Sequence, residues 1–101
     1  MKMNYKIHFV KGVDDDITTA AQWYESKVKG LGEKFVADWE TTAVYIESNP
    51  FANQIRKKSN RHAYLKKFPF IIVYEVEKKN IYVYALVHAK QKPKRFYKRK
   101  K

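Results

Sequence analysis

The sequence predicts an α+β domain in which a helical hairpin packs on one face of a mainly antiparallel, four-stranded sheet, in the order β-α-α-β-β-β. Three observations predict it. Residues 61–88 alternate apolar and polar side chains in consecutive runs, the period of half-buried strands. Residues 17–46 instead repeat apolar side chains every three or four positions, the period of helices with one buried stripe. Residues 3–10 alternate again, and a strand so remote in sequence joins the others in one sheet.

In chain order, Tyr5, Ile7 and Phe9 alternate with Asn4, Lys6, His8 and Val10, as a strand from Met3 to Val10 requires. Asp14, Asp15 and Asp16 are placed to cap the first helix and to complement its positive N-terminal dipole. Ile17, Ala20, Ala21, Tyr24 and Val28 form its apolar stripe, widened by Trp23, and Gly30 and Gly32 permit a tight turn. The second helix runs from Leu31 to Ser48 on a stripe of Phe35, Trp39, Ala43 or Thr42, and Ile46. Pro50 disfavours helical geometry at Asn49 and stops it. Phe51 to Asn60, with Gln54, Arg56, Lys57 and Lys58, reads as a polar, basic loop. Strands follow at Arg61 to Phe68, Phe70 to Glu77 and Ile81 to His88, the last two joined by the hairpin-length turn Lys78-Lys79-Asn80. Trp23, Tyr24, Phe35 and Trp39 are expected to fill the layer between helices and sheet.

A chain of 101 residues makes one domain, here residues 1–93, followed by a basic tail at 94–101. The absence of cysteine excludes disulfides and zinc-thiolate sites and fits a cytoplasmic setting. No stretch reads as a signal peptide or a membrane span. Charge is divided unevenly: residues 1–53 carry −2 and residues 54–101 carry +14. From Ala89 to Lys101 eight of thirteen residues are Lys or Arg, the composition of a mobile arm. Such asymmetry points the C-terminal half at nucleic acid, a ribosome or an acidic protein.

The helical hairpin WYESKVKGLGEKF, the helix exit IESNP, the strand pair RHAYLKKFPFIIVYEV and the closing ALVHAKQKP resemble, in order and spacing, the RelE/ParE superfamily of bacterial type II toxins. The resemblance covers Tyr5 to about Pro93. The long hairpin, Phe68-Pro69-Phe70 before Tyr74, and His88 after the last strand look closer to the ParE-like branch. Lys92 departs from the acidic residue that often precedes the proline in the family. The resemblance implies a cytoplasmic toxin held inactive in a hetero-oligomer by a cognate acidic antitoxin. RelE-like members are similar to metal-independent ribonucleases that cut messenger RNA on the ribosome. ParE-like members instead poison DNA gyrase and need no catalytic residues. A non-toxic, RNA-binding or ribosome-associated module is the alternative that the basic surface alone supports.

Metal-independent RNA cleavage needs a base for the 2′-hydroxyl, cations for the phosphate and an acid for the leaving oxygen. Arg61, Lys66, Lys67 and Lys90 are the candidate cations. His88 is the candidate proton shuttle, with His62 a second, and Tyr97 is a candidate acid or stacking platform. On a strand, Lys66 and Lys67 point to opposite faces, so only one serves a given site. Without paired aspartates near the strands, or short histidine spacing, neither a metal nor another cofactor is expected. His8, alone on the first strand, reads as structural.

Overall fold

A computed structural model describes residues 4–91 and 99–101. β1 (Lys6–Phe9) leads into α1 (Val13–Lys27) and α2 (Leu31–Ser48). β2 (Ile55–Lys57), β3 (Asn60–Tyr64), β4 (Phe70–Glu77) and β5 (Asn80–His88) follow. The five strands form one sheet in the order β1-β5-β4-β3-β2. β1 runs parallel to β5, and the other pairs are antiparallel.

The helical hairpin is set by two glycines and one carboxylate. Gly30 takes a left-handed φ of 88°, which a side chain would strain. Glu25 accepts the N–H groups of Gly30 and Gly32, each at 2.9 Å, and so caps α2 from the preceding helix. Those two bonds hold the Glu25 carboxyl below its ordinary pKa. A Cβ on Gly32 would lie 2.7 Å from the Ala21 carbonyl oxygen, so the helices approach here more closely than any side chain allows.

α1 packs over β5 and α2 over β3. Between them and the sheet, Phe35, Ile46 and Trp39 meet Ile72, Tyr74, Ile81, Val83 and Leu86. Phe35 stacks on Tyr24 at 5.4 Å and meets Phe68 and Phe70 edge-on at 5.2 and 5.0 Å. Ile71, Val73, Ala85 and Val87 form a second buried cluster, on the side of the sheet turned away from the helices. β4 therefore alternates between two dry faces. β5 carries a bulge: Tyr74 pairs with Val83 and Val73 with Ala85, leaving Tyr84 unpaired. The bulge returns Leu86 and His88 to the helix side.

Four expectations are corrected. The sheet has five strands, because Ile55 to Lys57 pairs with β3 where a loop was expected. All three residues of β2 are exposed, so no apolar alternation announces it. β3 stops at Tyr64 and not at Phe68, because the main chain of residues 66–68 turns to meet a carboxylate of α2. The three aspartates do not cap α1: Gly12, at φ 104°, occupies the cap position without a side-chain bond, and Asp14 to Asp16 lie inside the first turn. Trp23 is 56% exposed. It lies about 100° around the helix from Tyr24, outside the stripe that faces the core.

Candidate functional site

The basic loop after β3 is built by Asp38. This residue lies on the buried stripe of α2, between Phe35 and Trp39, and is only 6% exposed. A carboxylate there must find donors. It accepts the N–H groups of Lys67 at 2.8 Å, Phe68 at 3.2 Å and Lys66 at 3.3 Å. Phe68 is anchored as well, its ring 4.7 Å from Tyr24. The loop closes on itself through Leu65 N–H to the Phe70 carbonyl, 3.0 Å, and is tied to the end of β5 through Ala89 N–H to the Pro69 carbonyl, 2.7 Å. Lys66, Lys67, His88 and Lys90 therefore share one end of the sheet. Lys66 and Lys67 are loop residues, both exposed, and the opposite-face constraint of a strand does not apply to them.

Arg61 stands apart. It pairs with Tyr74, four residues along β4 from the Phe70 that pairs with His88, or about 13 Å at the usual rise of a strand. Its guanidinium donates to the Asn53 carbonyl at 2.6 Å and lies 5.1 Å over the Phe51 ring. Tyr74 donates to the Pro50 carbonyl at 2.8 Å and accepts from Asn53. Together they pin residues 50–53 against the sheet. Tyr97 lies outside the described residues. His62 is held neutral, because burial and then the charge of Arg56 push its pKa down.

His88 faces α1, with its ring edge-on to Phe70 at 5.2 Å. Its Nδ1 accepts the Lys90 N–H at 3.1 Å. That bond places the ring proton on Nε2, which can donate. Acting as a base through Nε2 would require the other tautomer and the loss of this contact. His88 lines a groove of about 780 Å³ together with Trp23, Tyr24, Phe70, Asp16 and Arg99, among others.

The groove follows an open strand edge. β1 pairs with β5 from Asn80 to Val83. Beyond Val83, no strand among the described residues pairs with β5 on that side. Side chains take the place of a strand: Asp16 accepts the Leu86 N–H at 3.1 Å, Gln91 accepts the His88 N–H at 3.2 Å, and Arg99 donates to the Tyr84 carbonyl at 2.9 Å. Arg99 also forks onto both oxygens of Asp16, at 2.6 and 3.1 Å. Two residues on, Lys101 Nζ lies 2.6 Å from Glu77 and 3.5 Å from Glu75, over the Tyr82 ring at 4.8 Å. The end of the basic arm is thus docked, not loose. Burial raises the pKa of Glu75, but hydrogen bonds from Ser59 and Tyr84 and the charge of Lys101 outweigh it and hold the carboxyl low. Burial, reinforced by Glu75, pushes the Tyr84 hydroxyl well above its ordinary value.

Reading the sequence missed Asp38, Asp16, Gln91 and Arg99. Asp38 alone carried a local signal, a carboxylate inside an apolar helical stripe. The others meet their partners across 70 or 83 residues in two cases, and no local pattern encodes that.

Among the described residues no cluster of histidine and carboxylate side chains could hold a metal, and no helix is long and apolar enough to cross a membrane. No family model and no curated protein matches the sequence. The fold is that of a hairpin of helices on a five-stranded sheet whose first and last strands run parallel, and it is RelE/ParE-like. A chain in the solved structure of the chromosomal ParDE TA system from P. aeruginosa shares it, with a TM-score of 0.73 at 16% identity. The match covers 85% of this chain and 97% of that one.

Proposed function

We propose that this protein is the toxin of a toxin–antitoxin pair, neutralised by an acidic antitoxin in the cytoplasm, and that it acts by binding its target. The observation that carries the reading is the fold shared with the ParDE chain over nearly its whole length. For ParE-like proteins the implied target is DNA gyrase. Binding is favoured over RNA cleavage by the dispersal of the cleavage set: Arg61 is committed to Asn53 and Phe51, far from His88, and Nδ1 of His88 is occupied by Lys90. One observation favours the second reading, a RelE-like ribonuclease. Lys66, Lys67, His88 and Lys90 lie at the same end of the sheet, where an imidazole beside lysines suits phosphate chemistry.

The test is expression of the chain alone, with growth, gyrase supercoiling and messenger RNA integrity followed together. Growth arrest with supercoiling lost and RNA intact is the expected result. RNA cut on the ribosome would overturn the binding reading and install the ribonuclease. In that case His88→Ala should lower the rate by ~10²–10³-fold; under the binding reading it leaves arrest intact. A chain that arrests nothing, with no small acidic protein encoded beside it, would remove the toxin reading altogether. The antitoxin should associate faster at low ionic strength, since the +14 of residues 54–101 attracts it over a distance that salt shortens.

A further inference from the structure

The two halves of β5 are finished by different means. From Asn80 to Val83 its outer edge is paired by main chain, in register with β1. From Tyr84 to His88 the same edge is met by side chains, one of them from the C-terminal end of the chain. Arg99 does two things there. It takes the Tyr84 carbonyl directly, and through its fork onto Asp16 it holds the carboxylate that takes the Leu86 N–H. Lys101 fixes the next residues to Glu77 and Glu75 on the sheet. The space for the guanidinium is made by Gly12, where a Cβ would come within 2.9 Å of Arg99 Cζ.

An unpaired strand edge is a template for another strand, and proteins block such edges with charge or a covering segment. The covering segment here is held lightly. The side chains of Arg99 and Lys101 are 24% and 36% exposed. Ion pairs this open to water contribute little and weaken with salt, whereas a strand pairs through a ladder of main-chain bonds.

We propose that residues Arg99 to Lys101 are a displaceable strap that keeps the open half of β5 from pairing with another extended strand. The proposal does not depend on the toxin reading. The strap guards Tyr84 to His88 in the isolated chain. A partner strand gains that edge, and the groove beside it, only by drawing Arg99 off Asp16 and the Tyr84 carbonyl.

The experiment compares the full chain with the double variant Arg99→Ala, Lys101→Ala, and with Arg99→Lys, which keeps the charge but loses the fork. Amide exchange is read at Leu86, with Ile72 in the core as the folding control. Self-association is followed by sedimentation, the second copy of the chain serving as the probe strand. In the double variant Leu86 should exchange roughly 10- to 100-fold faster, the factor expected for loss of a charge-assisted hydrogen bond. Ile72 should not change, and the variant should associate as concentration rises, with Leu86 protected again in the associated form. Arg99→Lys should fall between. Unchanged exchange at Leu86 would overturn the proposal, since Asp16 alone would then close the edge. So would faster exchange without association, or association that leaves Leu86 unprotected. Should the double variant fail to keep Ile72 protected, the full chain in high salt against low salt decides by the same two readings.

Discussion

Two basic segments are fastened to this sheet, and they are fastened differently. The loop carrying Lys66 and Lys67 is held by its main chain, in the grip of one carboxylate that is almost wholly buried, and by Phe68 set among Tyr24 and Phe35. The end of the chain carrying Arg99 and Lys101 is held by its side chains, at carboxylates open to water. The first presents lysines from a fixed base and leaves their ammonium groups free to meet a partner. The second uses up its cations on the protein itself. Equal charge in the sequence thus has unequal meaning: the +14 of the C-terminal half overstates what is offered to a partner.

The sharpest way to break the comparison is to remove what the loop rests on. Phe35→Ala should cost about 3–5 kcal/mol in chemical denaturation, as for other buried aromatics, and should loosen the loop through Phe68 as well as the core. Asp38→Ala should cost about 3 kcal/mol, because three main-chain donors lose a charged acceptor. Asp38→Asn keeps one acceptor oxygen and should cost about half that. If Asp38→Ala instead unfolds no earlier than the parent, the loop does not depend on its carboxylate and the contrast between the two segments fails.

Acid sharpens the other side of it. The carboxyl of Glu75 titrates below its ordinary value in the folded chain. Its contribution is therefore present above the unfolded carboxylate range and is lost as pH falls through its lowered folded value. Glu75→Gln should shrink the gap in melting temperature between neutral and acid solution; an identical acid profile would show that the Ser59, Tyr84 and Lys101 contacts contribute nothing. The smallest effect is expected at Trp23. Replacing it with alanine should change stability by no more than about 0.5 kcal/mol, as at other exposed sites, with binding to the groove as the place where it would matter.

The parts of this fold that were legible are those written in a local period. Phe35, Trp39 and Ile46 mark the buried side of α2, Pro50 marks its end, and the alternation of β4 and β5 survives intact. β2 was hidden because its three residues bury nothing. Trp23 misled because an aromatic beside a stripe reads as part of it. The candidate site was legible at one end only: Lys66, Lys67, His88 and Lys90 do converge, since a loop and a strand end meet there. Arg61 does not, because its position along β3 sets it some residues from that end and Asn53 claims its charge. Asp38 was visible as a misfit, a charge where the pattern called for an apolar side chain, and its role as the loop's clamp follows from that misfit.

The order of strands carries a consequence for how the molecule comes into being. β5 lies between β1 and β4, yet it is the last of the five to be synthesised. Until it leaves the ribosome, β1 has no neighbour to pair with and one side of β4 stands bare. Contacts that join the two ends of a chain form slowly. The nascent protein therefore waits, its hairpin of helices already able to form, for a single late insertion that completes the sheet. The end where Lys66, Lys67, His88 and Lys90 meet does not exist before that moment, so translation halted ahead of residue 80 yields neither the fold nor the surface.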